Sequence, residues 1–327
     1  MQKKILKLFW HEAMRYPFRV ISATVNSSIT VVIGSFAGPF VISRLLGAIQ
    51  AGDTITLSSS VGIIGLYLLT QFYGEVFGWR YNMYMIWTFE TAAQRNIHTR
   101  VFKHLSQLST NFHANTFGGS LVSQTSKIVG SFERFWDTII FQLVPSLTSV
   151  IAATAILAFV FWQYAVFLLI ISIIFITVMY FGSRFMAQLN IDEAQASTKQ
   201  TGTLADAMAN ILAIKSHGRE EFELTKYEAV SNDWREKSLA SMRGFLKVSS
   251  GYAMLTATLN TGVLVAAILA KEHTAISISA IYLSISYTFT VARQLWEMNS
   301  IMRNYNRVMG DAHDMTEILD ILPEIKD

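Results

Sequence analysis

A chain of 327 residues with 52% hydrophobic and only 15% charged side chains lacks the ~25% charge of soluble domains, which excludes an ordinary soluble globule. Its net charge of +3 needs no nucleic-acid partner, since basic loops on one side of a membrane give the same excess and no basic–aromatic binding motif occurs. The absence of cysteine removes disulfides, thiolate catalysis and cysteine-ligated metals.

The opening residues, MQKKILKLFWHEAMRY, place Leu6, Phe9, Trp10, Ala13 and Met14 on one helical face, with Lys4, Lys7, His11 and Arg15 on the other. That pattern predicts an interfacial elbow helix over 1–16, or alternatively an extension of the span that follows. It is no signal peptide, because it has neither an apolar core of its own nor a cleavage site. Pro17 then turns the chain. Charge-free runs locate the spans: Val20–Ser43, Thr54–Gly74, the 46 residues Thr138–Ser183, Val248–Ala270 and Thr274–Ala292. A span needs about 20 apolar residues, so the long run is two helices turning near Trp162-Gln163-Tyr164. Six spans result, roughly 18–46, 58–80, 139–162, 164–184, 246–270 and 274–297.

With both termini inside, the outer loops 44–57, 162–164 and 271–273 hold only Arg44 and Lys271 of the 26 basic residues, which fixes the orientation. The inner connections, roughly 80–138 and 185–245, are long. Apolar residues recur at helical spacing through Ile97, Val101, Leu105 and Leu108, and again through Leu204, Met208, Ile211 and Leu212. At 1.5 Å per residue, two such helical hairpins reach roughly 30–40 Å below the bilayer as rigid rods. This suits a machine that touches a cytosolic partner and moves with it.

Polar groups inside a membrane are expensive. Gln71 and Glu75 share a face of the second span, with Arg80 below; Arg293 and Glu297 share a face of the sixth. They either line a central cavity, with Tyr287 among the aromatics there, or pair near the inner headgroups, with Arg80 snorkelling to them. Gly34/Gly38 and Gly74/Gly78 form G-x-x-x-G packing patterns. Neither a zinc H-E-x-x-H nor a phosphate-binding G-x-x-x-x-G-K-[ST] occurs, so no metal site and no ATP site is expected in the chain itself.

The rod tips read LSQLSTNFHANTFGGSLVSQ (105–124) and LADAMANILAIKSHGREEFE (204–223). Phe112, Gly118 or Gly119 and Leu121 in the first, and Ile211, Ile214, Lys215, Gly218 and Glu220 in the second, resemble the intracellular loops of type I ATP-binding-cassette exporters. The tail EILDILPEIKD, from Glu317, resembles that family's linker into its nucleotide-binding domain. The resemblance implies an all-α membrane domain of six spans over 17–312, acting in a domain-swapped homo- or heterodimer, with a linker at 313–327. It implies an ATPase domain, on the same polypeptide or a separate subunit, which would bring ATP and Mg. It places one coupling helix at Thr110, Asn111, Phe112, His113, Ala114, Asn115 and Thr116, where His113-Ala114 departs from the charged residues common in relatives. The second falls at Asp206, Ala209, Asn210, Ile211, Leu212 and Lys215. The expected function is ATP-driven export of a hydrophobic or amphipathic cargo (drug, lipid or peptide) from a bacterial cytoplasmic membrane. Membrane lipids are its surroundings, and nucleic acid is no partner. The competing reading is an ATPase-free, proton-driven six-span carrier with Glu75 as the proton site; a non-transporting receptor or assembly subunit is a third.

Overall fold

A computed structural model describes residues 1–116, 118–273 and 276–322. These residues are helical, with no strand among them, and fall into two units: Met1–Ser172 with Leu259–Asp327, and Ile173–Thr258. Pro323 and the charged end of the expected linker lie outside the described residues, as does Thr274.

In the first unit α1 (Gln2–Ala13) is the elbow, and Pro17 opens α2 (Pro17–Val31), where a missing N–H is tolerated. A π-helical turn, Val32–Ala37, leads into α3 (Gly38–Ala51), which Gly52 ends in the left-handed conformation at φ 83°. Thr56 and Ser59 then form a capping box at the start of α4 (Leu57–Gln71). A second π-turn, Phe72–Gly78, joins α4 to α5 (Trp79–Ser106). The short α6 (Thr110–Asn115) precedes α7 (Gly118–Thr138), which passes through a third π-turn, Ile139–Leu143, into α8 (Val144–Val160).

The break expected near 162–164 falls at Phe161, and α9 (Trp162–Ala209) begins there. α10 (Ile211–Ser216) and α11 (Glu220–His273) follow, then α12 (Ile278–Asp311) and α13 (His313–Ile318). Five helical stretches, Pro17–Ala51, Leu57–Ser106, Gly118–Val160, Trp162–Ala209 and Glu220–Glu272, are long and apolar enough to cross a membrane. The sixth expected span is α12, whose Ser284, Thr288, Thr290 and Arg293 lower its hydropathy. It packs instead against α3, α7 and α8, burying Tyr287, Val291 and Leu295 completely.

The elbow's buried face is wider than expected and omits one of its members. Ile5, Leu8, Phe9 and Ala13 are buried together with Glu12, while Trp10 stays 58% exposed. α1 packs on α5 and α13, so Ile5 and Leu8 join Phe9 and Ala13 in the core, Leu6 and Met14 stay half-buried against it, and of the expected face only Trp10 is left exposed. Phe9 meets Phe132 edge-on at 5.5 Å, and Phe89 meets Trp136 edge-on at 5.8 Å. This aromatic core ties the elbow to α5, α7 and, through Met309 and Met315, the last two helices. Removing a fully buried Phe leaves a large cavity, so Phe9→Ala is expected to lower stability by about 3–5 kcal/mol, measured as a lowered melting midpoint in detergent. An unchanged midpoint would show that the elbow is not part of the core.

The second unit is an antiparallel hairpin of the α9 and α11 segments. Phe175 stacks on Tyr252 at 5.3 Å. Further along, Trp234 Nε1 donates to Glu193 Oε1 (3.3 Å) and Gln200 Nε2 to Ser231 Oγ (2.9 Å). Glycines let the two helices touch: a Cβ on Gly182 would meet Val248 at 2.7 Å, and one on Gly244 would collide with Leu189.

Candidate functional site

Two π-turns meet inside the first unit. A Cβ on Gly74 would lie 2.8 Å from the Gly34 Cα, so the backbones are in contact, and one on Gly78 would strike Thr30. π-turns insert a residue into the helical ladder and recur at functional sites. Here both flank one groove of about 680 Å³, lined by Thr30, Ser35, Glu75, Trp79, Phe289 and Arg293 among others.

The groove brings Glu75 and Arg293 together from helices far apart in sequence, but not the other cavity candidates. Gln71 sits against Gly38, where its Nε2 would lie 3.0 Å from an added Cβ. Tyr287 is fully buried; its hydroxyl donates to the Phe36 carbonyl at 3.0 Å and its ring packs on Phe36 at 4.8 Å. Glu297 is exposed one turn below Arg293, and no ion pair joins the two among the described residues. Arg80 does not reach them either, because its guanidinium donates to the carbonyls of Glu75 (3.2 Å) and Val76 (3.1 Å). The paired-charge alternative is therefore replaced by an exposed acid and an exposed base presented to one groove.

A buried polar network beside the groove is absent from the sequence-based site. Asn26 Nδ2 donates to Asn82 Oδ1 (2.7 Å) and to the Gly78 carbonyl (2.9 Å), while the Tyr73 hydroxyl donates to Asn26 Oδ1 (2.7 Å). It locks α2 to the second π-turn, where an uncompensated buried amide would cost about 1–3 kcal/mol. The signal was available: Asn26 is an amide within a charge-free run.

The first predicted tip becomes α6, begun by Ser109, whose hydroxyl accepts from the Phe112 N–H, and followed by Thr116 in extended conformation. His113 Nε2 is hydrogen-bonded to the Leu105 carbonyl at 2.9 Å, so this exposed ring also tethers α6 to the end of α5. Asn111, Phe112 and Ala114 share the same short helix. The second tip is shifted. α9 runs on through Asp206 and Ala209, and only Ile211, Leu212 and Lys215 of the expected set lie on the separate helix α10. Asn210 makes the corner by donating from Nδ2 to the Asp206 carbonyl (3.0 Å) and carboxylate (3.2 Å). Gly218, at φ 60°, lets the chain turn back into α11. Leu212 stands 82% exposed at this corner.

A model of the family described as ABC transporter transmembrane region matches residues 22–294. The mitochondrial iron-sulfur clusters transporter ATM1 of Yarrowia lipolytica is 20% identical over 99% of this chain and 46% of its own length. An ATP-dependent lipid A-core flippase from Desulfotalea psychrophila is 24% identical over 69% of this chain and 39% of its own. The β-(1→2)glucan export ATP-binding/permease protein NdvA of Bradyrhizobium diazoefficiens is 20% identical over 70% and 38%. Among solved structures, a bacterial Atm1-family ABC exporter with ATP bound matches with TM-score 0.76 and 17% identity, over 94% of this chain and 55% of that one. The chain thus spans about half the length of the curated relatives it matches.

Proposed function

The chain belongs to the family of ABC transporter transmembrane regions, and on that premise we propose that it forms the membrane path of an ATP-driven exporter for amphipathic cargo. Two copies, or this chain and a related one, enclose the path. ATPase domains, on the same polypeptide or separate, engage α6 and α10 as coupling helices and supply the ATP and Mg chemistry. Both termini face the cytosol of a bacterial membrane. The single observation that carries this reading is the corner at α10: helices of 48 and 54 residues converge on a six-residue helix whose Leu212 is 82% exposed. An isolated hairpin turn in water gains nothing from an exposed Leu, whereas a docking helix does.

Cargo is received at the Glu75–Arg293 groove, where Trp79 and Phe289 offer apolar rings beside one acid and one base. Such a lining suits a molecule with an apolar body and a charged or polar end. Arg293→Ala is expected to weaken binding of an anionic amphipathic dye about tenfold while leaving a neutral one within twofold, read by fluorescence titration. Equal effects on both dyes would remove Arg293 from the cargo path.

The test of the function itself is reconstitution of the chain with its ATPase domains in vesicles. Accumulation of labelled cargo that requires ATP and is indifferent to a pH gradient is the expected result. Accumulation driven by a pH gradient without ATP, and abolished by Glu75→Gln, would establish the proton-carrier reading instead.

A further inference from the structure

A groove between the elbow and α5 concentrates positive charge without a matching set of carboxylates. Arg15, Arg95, Arg100 and Lys103 line a cavity of about 630 Å³, and among the described residues Glu12 is the one acid in its lining. Glu12 is 1% exposed and lies 3.2 Å from Arg15 Nε and 3.5 Å from Arg100, so one buried carboxylate steadies two guanidinium groups. Arg95 is steadied by neutral contacts instead: its Nη2 donates to Asn96 Oδ1 (3.3 Å), and Asn96 Nδ2 donates to the Tyr16 hydroxyl (3.2 Å). Neither Arg95 nor Lys103 forms an ion pair among the described residues. The His104 ring is engaged with the Ile318 carbonyl at 2.9 Å. Four cations against one acid leave three excess positive charges. Like charges held together repel, and an entering anion relieves that repulsion.

The lining says which anion. Besides its charged groups the cavity offers Asn96, Thr99 and Gln107, and among the described residues no apolar side chain faces it. An acyl chain would have nothing to pack on, so the fitting ligand is soluble in water. The lining also runs down α5 as far as Gln107, three residues before α6 begins at Thr110, and so toward the first expected rod tip. Arg95 and Lys103 stand eight residues apart on that helix, about 12 Å, with Arg100 between them. One phosphate cannot reach both, whereas a molecule carrying several can. Guanidinium forks match the paired oxygens of a phosphate, and the volume lies within the range of about 300–1,000 Å³ common for small-molecule sites. We infer that the groove between the elbow and α5 is a binding site for a soluble organic polyphosphate, held by Arg95, Arg100 and Lys103 with Arg15 from the elbow. A ligand seated there ties the elbow to the stretch of α5 that leads into α6.

Inorganic tripolyphosphate is the probe, titrated by calorimetry into the 327-residue chain in a neutral detergent. It is expected to bind, and to bind more tightly than inorganic phosphate or citrate. Roughly fivefold is lost per exposed cation removed, so R95Q/K103Q should bind it about 25-fold more weakly. The charge-conserving R95K/K103R should stay within a few-fold of the parent. K237Q/R243Q removes the same charge from exposed positions on α11 and should match the parent. Equal weakening in R95Q/K103Q and K237Q/R243Q would mean a diffuse electrostatic effect and would overturn the proposal. So would phosphate or citrate binding as tightly as tripolyphosphate. Displacement of tripolyphosphate by dioleoyl phosphatidylglycerol in the detergent would overturn it in favour of a lipid headgroup. Acetylation of lysines, read by mass spectrometry, provides the check that needs no variant. Tripolyphosphate should slow modification of Lys103 and leave Lys237 unchanged; protection of both or of neither contradicts the assignment.

Discussion

Leu212→Asp is expected to weaken docking of the ATPase domains on the assembled transporter about 30-fold or more, leaving ATP hydrolysis that no longer moves cargo. The magnitude follows from the exposure of this side chain: fully burying an exposed Leu is worth about 2 kcal/mol, which is roughly 30-fold in affinity. A carboxylate in its place adds desolvation of a charge to the lost burial. Leu212→Met keeps the volume and the apolar surface and should retain most of the affinity. Titration of the ATPase domains against each variant reads the effect directly, and equal affinities for the parent and the Leu212→Asp variant would remove α10 from the contact. The fold itself should survive, because the side chain touches solvent.

Gly74→Leu should abolish transport by prising apart the two π-turns. An added Cβ has only 2.8 Å to the Gly34 Cα, a separation that no side-chain rotation can relieve because the obstacle is backbone. Overpacking of this kind costs about 1–3 kcal/mol when neighbours can shift, and more where they cannot. The loss should appear both as a lowered melting midpoint and as a changed groove, since Glu75 and Arg293 line the groove beside this crossing. Gly130→Ala is the matched control, because nothing lies within 4 Å of its added Cβ. If Gly74→Leu melts and transports like the parent, the crossing has no part in the cycle.

Much of this architecture can be read from the residues, because membrane burial writes a coarse and obligatory pattern. A stretch such as Thr138–Ser183 cannot be anything but paired helices, and the break falls at Phe161, within a residue of the expected turn. Helix faces are harder. The elbow presents two apolar faces, and only the position of Phe132 and Trp136 on α7 decides that Phe9 turns inward while Trp10 remains 58% exposed. The second tip lies later than its sequence suggests, because Ala207, Met208 and Ala209 are strong helix formers that carry α9 past Asp206. The corner is made by Asn210 bonding back to Asp206, a contact that exists only once the helix is formed.

The site is legible only in part for a related reason. Glu75 and Arg293 announce themselves as charges in apolar surroundings, but their meeting in one groove depends on which glycines cross. Tyr287 looks identical in sequence to a cavity aromatic, yet its hydroxyl is spent on the Phe36 carbonyl. The Asn26–Asn82–Tyr73 network depends on pairing α2 with the second π-turn, a long-range fact that no local period encodes.

The proposal that the α10 corner receives the motion of an ATPase domain is open to one direct measurement. These 327 residues hold no cysteine, so, with any cysteine of the ATPase domains replaced, an Ala205→Cys substitution on the exposed face of α9 beside the corner carries a single spin label on each copy while Leu212 stays in place. Pulsed dipolar spectroscopy between the two labels, with and without ATP and Mg, should give two well-separated distance distributions. One unchanged distribution in both conditions, from protein that hydrolyses ATP and moves cargo, would contradict it.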